Sequence, residues 1–190
     1  MNILLFALSA ALVNNVVLVQ FQGLCPFLGV SKNVKTAAGM GGAVIFVMTL
    51  AQTATSLLYY HILVPLHIEY LNTIAFILVI AGLVQFVEMF LKKKVKSLYS
   101  ALGVYLPLIT TNGAVLGIAI SSVQAGYSVG KCILNGFFSA VGFAVALIIF
   151  ASIREKTERN DIPKALQGGP IVLIAAGLMA LAFSGFSGLM

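Results

Sequence analysis

A thiol beside a helix breaker is a natural metal ligand, and this chain has one in Gly23-Leu24-Cys25-Pro26. Pro26 has no N–H and clashes with a preceding helical turn, and Gly23 adds backbone freedom. The helix should kink or stop here and leave Cys25 on a turn, with its sulfur presented off the helix face. The plainer alternative is that Cys25 is a small core hydrophobe. One cysteine cannot hold a metal centre alone, so a cluster at Cys25 needs further ligands from this chain or a partner. A second polar interruption is Pro107-Leu108-Ile109-Thr110-Thr111-Asn112-Gly113. It reads either as a kinked helix repaired by threonines or as a second pair of half-helices facing the first. Asn14-Asn15 lies upstream of Cys25. Two carboxamides in an apolar run either bond between helices or satisfy backbone groups freed by a break.

The other chemical candidates are weaker. Cys132 follows Lys131 and reads as structural. Two cysteines are too few for a disulfide framework. Glu88 is the only acid well inside an apolar run, and Lys92 four residues on makes an i,i+4 pair the simpler reading than ion movement. His61 and His67 are the only histidines and fall in a short connection. No phosphate loop, nucleotide fingerprint or nucleophile–His–Asp set is present. Nor is there a basic–aromatic surface for nucleic acid.

These residues sit in a chain that water could not accommodate. Of 190 residues, 61% are hydrophobic and 8% charged, and the mean hydropathy is +1.08. A soluble domain of this size carries roughly 25% charged residues, and surface-to-volume scaling leaves too much area facing solvent for a core to absorb the difference. The expected fold is therefore all-α and membrane-integral, a single domain over 1–190. Six apolar stretches are near the roughly 20 residues that span a bilayer. They are Ile3–Gln22, Gly39–Tyr60, Leu71–Leu91, Leu98–Ser122, Cys132–Ile153 and Pro170–Leu189. The N-terminus has no basic stretch or cleavage pattern, so it reads as the start of the first span.

Charge placement orients these spans. Lys32 and Lys35, then Lys92, Lys93, Lys94 and Lys96, then Arg154, Lys156, Arg159 and Lys164 fall in the first, third and fifth loops; Lys131 alone falls on the other side. The positive-inside rule makes the first, third and fifth loops cytoplasmic and both termini external. The mixed-charge fifth loop reads as a solvated connector or a docking point for a partner.

A weak internal repeat divides the chain at about residue 95. Cys25-Pro26-Phe27-Leu28-Gly29 resembles Gly113-Ala114-Val115-Leu116-Gly117, and Ala81-Gly82-Leu83 resembles Ala176-Gly177-Leu178. Three spans per half would make the repeats inverted, with breaks in spans 1 and 4. Inverted repeats place a functional site on broken helices near the midplane.

Gly23 to Lys32 resembles the first-repeat signature of the A-subunit family of the Rnf electron-transport complex. Leu106 to Asn112 with Ala114 to Gly117 resembles the second. Ile153-Arg154-Glu155, Asp161-Ile162-Pro163, Ala176 to Met179 and Gly185 to Leu189 also match, so the likeness covers nearly the whole chain. One of the membrane subunits of the sodium-pumping NADH:quinone reductase is similar, but Cys25-Pro26 with Gly29 favours Rnf. The resemblance implies a bacterial inner-membrane subunit of a redox-driven translocase. It would pass electrons from ferredoxin towards NAD and couple them to Na+ or H+ export. It further implies a [2Fe–2S] cluster shared with the Rnf E subunit, a homologous partner of opposite topology, within an assembly that also holds the B, C, D and G subunits. Each member of the homologous pair would give one cysteine from each of its repeats. Cys25 matches the first, with Asn15, Leu24, Pro26, Thr111 and Asn112 around the cluster. The second falls at Gly113, which has no ligating side chain. The resemblance thus implies the family fold with one thiolate lost or replaced by another ligand. The competing readings are a transporter with a substrate site at the same breaks and a structural subunit without its own redox centre.

Overall fold

The structure is a computed structural model, and it describes residues 3–94, 112–164 and 166–185. All regular structure among these residues is helical. We label the helices α1 (Ile3–Leu8), α2 (Leu24–Val30), α3 (Val34–Leu58), α4 (Asn72–Lys94), α5 (Gly113–Gln124), α6 (Val129–Thr157) and α7 (Gly169–Ser184). π-Helical turns extend α1 over Ser9–Val13 and α3 over Tyr59–Leu63, and a 3-10 turn at Glu69–Leu71 leads into α4.

Three helical stretches are long and apolar enough to cross a membrane: Val34–Leu63, Glu69–Met89 and Val129–Thr157. Helices α5 and α7 are apolar but shorter, at 12 and 16 residues. At 1.5 Å per residue α5 reaches only about 18 Å, well short of a hydrocarbon core of about 30 Å. The expected first span does not form one helix: after the π turn, residues 14–23 leave helical geometry altogether. For the expected fourth span, Leu98 to Thr111, with Pro107 and Thr111 among them, lies outside the described residues.

The core is organised on α3 and α6, the most extensively packed pair. Small residues let the two backbones approach closely. A Cβ added at Gly41 of α3 would lie 2.9 Å from the Ala144 Cβ of α6, and one at Gly136 of α6 would collide with the Gln52 side chain of α3. Ala37, Met40, Val44, Met48 and Ala51 bury one face of α3 against Ala140, Phe143, Leu147, Phe150 and Ala151 of α6. Large side chains elsewhere point outward, and Leu78, Phe86 and Leu181 are 72%, 69% and 70% exposed. So much outward apolar area requires an apolar surrounding.

Candidate functional site

The interruption of the first helix begins at Asn14-Asn15, upstream of the Gly-Cys-Pro motif. The π turn Ser9–Val13 closes with the Asn14 N–H donating to Ser9 O at 2.8 Å. Asn14 is exposed, and its carboxamide reaches Ser9 Oγ at 3.4 Å. It borders a cavity of about 160 Å³ with Ser9, Tyr127 and Asn135.

Asn15 behaves differently. It is buried, and both ends of its carboxamide are used. Nδ2 donates to Ala11 O at 3.0 Å and to Gly142 O at 3.1 Å, while Oδ1 accepts from Val17 N at 3.1 Å and Leu18 N at 3.3 Å. Both readings of the asparagine pair therefore apply to Asn15, which repairs the broken backbone and ties it to α6. The chain passes so close to α6 at this point that a Cβ at Gly142 would lie 2.8 Å from Ala11 Cα.

The broken segment ends at Gly23, in the left-handed region at φ +79°. Such a conformation suits glycine. From there α2 starts, with Cys25 as its second residue and Pro26 as its third. Cys25 is thus in the first turn of a helix and not on a turn that ends one. Pro26 is tolerated for a physical reason: first-turn N–H groups have no intrahelical partner, so a missing one costs little there. The proline motif opens a helix where a stop was expected. The Cys25 side chain is exposed, whereas Pro26 and Phe27 are buried.

Gly113 opens α5 in a comparable way. Asn112 is its N-cap and accepts from Ala114 N at 3.1 Å through Oδ1. Asn112 is only 4% exposed. Gly113 itself is exposed, and a Cβ there would meet nothing within 4 Å. Thr111 lies outside the described residues.

The two helix starts are neighbours. A Cβ on Gly23 would lie 2.8 Å from Asn112 Oδ1, 3.1 Å from Ala114 Cβ and 3.1 Å from Phe143 Cε2. One turn further along α5, the Gln22 carboxamide lies over Gly117, where any side chain would have to displace it. Gln22 Oε1 and Asn112 Nδ2 are buried without a hydrogen-bond partner among the described residues. Asn15, Gly23 and Asn112 therefore converge on Gly142 and Phe143. Phe143 is the central residue of the 29-residue α6, about 21 Å along the axis from either end. Leu24 beside Cys25 is partly buried against the core.

Cys132 is buried near the start of α6, with its thiol 3.4 Å from Tyr127 O. Among the described residues no three His, Cys, Asp or Glu side chains are grouped as a metal site would need. Reading the sequence alone missed Arg154, taken as part of a solvated loop. Its side chain is 13% exposed and donates from Nη1 to Leu28 O at 2.9 Å and Ser31 Oγ at 3.1 Å. The available signal was helical phase, since Phe143, Leu147, Phe150 and Arg154 fall on one face of α6.

The family model described as "Rnf-Nqr subunit, membrane protein" matches residues 3–190. The A subunit of the Na(+)-translocating ferredoxin:NAD(+) oxidoreductase complex of Acetobacterium woodii is 58% identical, with 100% of this chain and 98% of the relative covered. The A subunit of the ion-translocating oxidoreductase complex of Syntrophotalea carbinolica is 56% identical over 99% of this chain and 97% of its own length. Its counterpart in Vibrio vulnificus is 53% identical over 98% and 97%. With its first break placed and nearly its whole length matched, the chain belongs to the Rnf–Nqr family of membrane subunits.

Proposed function

We propose that this chain is a membrane subunit of an ion-translocating ferredoxin:NAD oxidoreductase complex, and that Cys25 is its thiolate ligand to a [2Fe–2S] cluster shared with the homologous E subunit. The names of its full-length relatives support the complex. The observation that carries the cluster reading is the placement of Cys25: an exposed thiol two residues after Gly23, which packs against the middle residue of a spanning helix and against a second helix start. A surface at that depth suits a protein partner better than a buried pocket would.

Taken alone, the chain fits only part of such a group. It offers one thiolate at the breaks, and a cluster held by four cysteines needs the others from elsewhere. Gly113 leaves open space where the family motif places a second ligand. When bound, the cluster would accept and release an electron within the membrane. The chain's own residues provide the setting. Asn15 neutralises the free backbone groups of the broken segment without introducing charge. Gly23 brings the thiol's helix against Asn112, and the surrounding Pro26, Phe27 and Phe143 keep water away from its inner side.

The same reading has six spans in two inverted halves, the basic loops on the cytoplasmic side of a bacterial inner membrane, and the B, C, D and G subunits in the assembly. The exported ion is Na+ or H+, with the sodium named in the Acetobacterium woodii relative supporting the former.

Iron analysis and visible absorption of the purified complex, with Cys25→Ser as comparison, test the proposal. The substitution should remove the iron and absorption assigned to this centre. Iron and absorption that persist unchanged would refute the ligand role and favour a transporter-like or structural role. Gly113→Cys should strengthen iron retention.

A further inference from the structure

The helix that carries Cys25 is only seven residues long, too short to hold itself in place. It packs on α3 and on the α5 start as well, but three of its attachments follow one stripe of α6 along its length. At its start, Gly23 packs on Phe143. In its middle, Phe27 stacks on Phe150, with ring centroids 4.5 Å apart and planes at 18°, and both rings are fully buried. At its end, Arg154 donates to Leu28 O and Ser31 Oγ, and Ser31 Oγ in turn donates to Leu28 O at 3.3 Å. Leu28 O is one of the carbonyls left unpaired at a helix C-terminus, where a cation is also favoured by the helix dipole.

A second arginine on the same chain is an internal comparison. Arg159 pairs with Glu155 at 3.0 Å and is 77% exposed, as a surface i,i+4 pair should be. Arg154 makes the equivalent pair with Glu158 at 3.2 Å yet is 13% exposed. A guanidinium near the end of an apolar helix can extend towards water at little cost. Arg154 is turned inward instead, and what it meets there is α2.

We propose that Arg154 is the positioning residue for Cys25. Its guanidinium fixes the far end of α2, about 10 Å from the thiol, and so sets where the sulfur lies. The link also connects Cys25 to the charged turn after α6 through Glu158. This proposal rests on Cys25 being a ligand, but its mechanical part does not.

The test uses the purified complex with Arg154→Gln, Arg154→Lys and Glu158→Gln. Hydrogen exchange at the amides of Phe27 to Val30 is read by mass spectrometry, together with the electron paramagnetic resonance of the reduced iron centre. Arg154→Gln should speed exchange about tenfold and change the line shape of the Cys25-dependent signal. Arg154→Lys, which keeps a cation able to reach Leu28 O, should recover most of both. Glu158→Gln leaves the bonds to α2 intact and should stay within about twofold. Unchanged exchange in Arg154→Gln overturns the proposal; so does faster exchange with an unchanged signal, because Arg154 would then support α2 without positioning the ligand. If Arg154→Gln fails to assemble, an Arg154→Lys complex identical to the unsubstituted one in exchange and signal supports the role, and one that also fails overturns it in favour of a requirement for assembly. If the unsubstituted complex holds no Cys25-dependent iron, the ligand reading fails by itself. Alkylation of Cys25 by N-ethylmaleimide then replaces the signal, and a rate unchanged by Arg154→Gln overturns the positioning role.

Discussion

Residues 14–23 and the entry to Gly113 both bring a helix start to the middle of α6, but they are closed by different means. The first break is long and is bound by one asparagine that bonds four backbone groups, two on either side of its carboxamide. The second is an ordinary N-cap, in which Asn112 accepts one N–H. The first carries a thiol and is anchored along α6 by Phe150 and Arg154; the second carries a glycine with empty space over it. Two similar interruptions thus differ in chemistry and in how firmly they are held. The short helix after the first break is fixed at both ends, whereas the longer α5 combines its cap with packing against α3, α4 and α6.

Substitutions can break this contrast or sharpen it. The largest effect is expected at Gly142, where a methyl group would run into the Ala11 backbone. Gly142→Ala should lower the stability of the complex by about 3 kcal/mol, since backbone must move to admit it; thermal unfolding of the purified complex measures this. Asn15→Leu removes the four bonds and strands two backbone donors and two acceptors, at about 2–3 kcal/mol. The exposed Asn14→Leu in the same assay should stay within about 0.5 kcal/mol. Equal effects at the two asparagines would erase the distinction. At the second break, Asn112→Ala should cost about 1 kcal/mol as the loss of a cap, and Asn112→Asp should recover most of it. The smallest effect belongs to Gly113→Ala, which meets nothing and should change stability by less than about 0.5 kcal/mol.

The membrane-helical character and the interruption of the first apolar run were legible in the sequence, because composition and polar residues in apolar runs express the solvent directly; of the second expected interruption the described residues hold only the helix start at Gly113. The thiol motif lies next to the broken segment, at the start of the helix that follows it. What was misplaced was the break itself. Proline was read as a helix terminator at Pro26, but a proline in the first turn is compatible with a helix start, and only the φ of Gly23 and the bonds of Asn15 show which applies. Arg154 was hidden for another reason. A basic residue at the end of an apolar run looks like a loop charge, and its inward turn depends on a carbonyl 126 residues away and a hydroxyl 123 residues away. Helical phase places Arg154 on the buried face of α6, but no local pattern names the partner it meets there.

The bonds across α6 also bear on the order in which the molecule can be made. Asn15 finds Gly142 across 127 residues, and Arg154 finds Ser31 across 123. During synthesis the N-terminal segment therefore enters the bilayer long before the helix that completes it exists. Until α6 arrives, one N–H of Asn15 and the carbonyl of Leu28 lack these partners, and the broken segment lacks the helix that covers it from hydrocarbon. The nascent segment must wait at the interface or in the care of the insertion machinery, and a chain released before α6 would expose an unfinished end to membrane quality control.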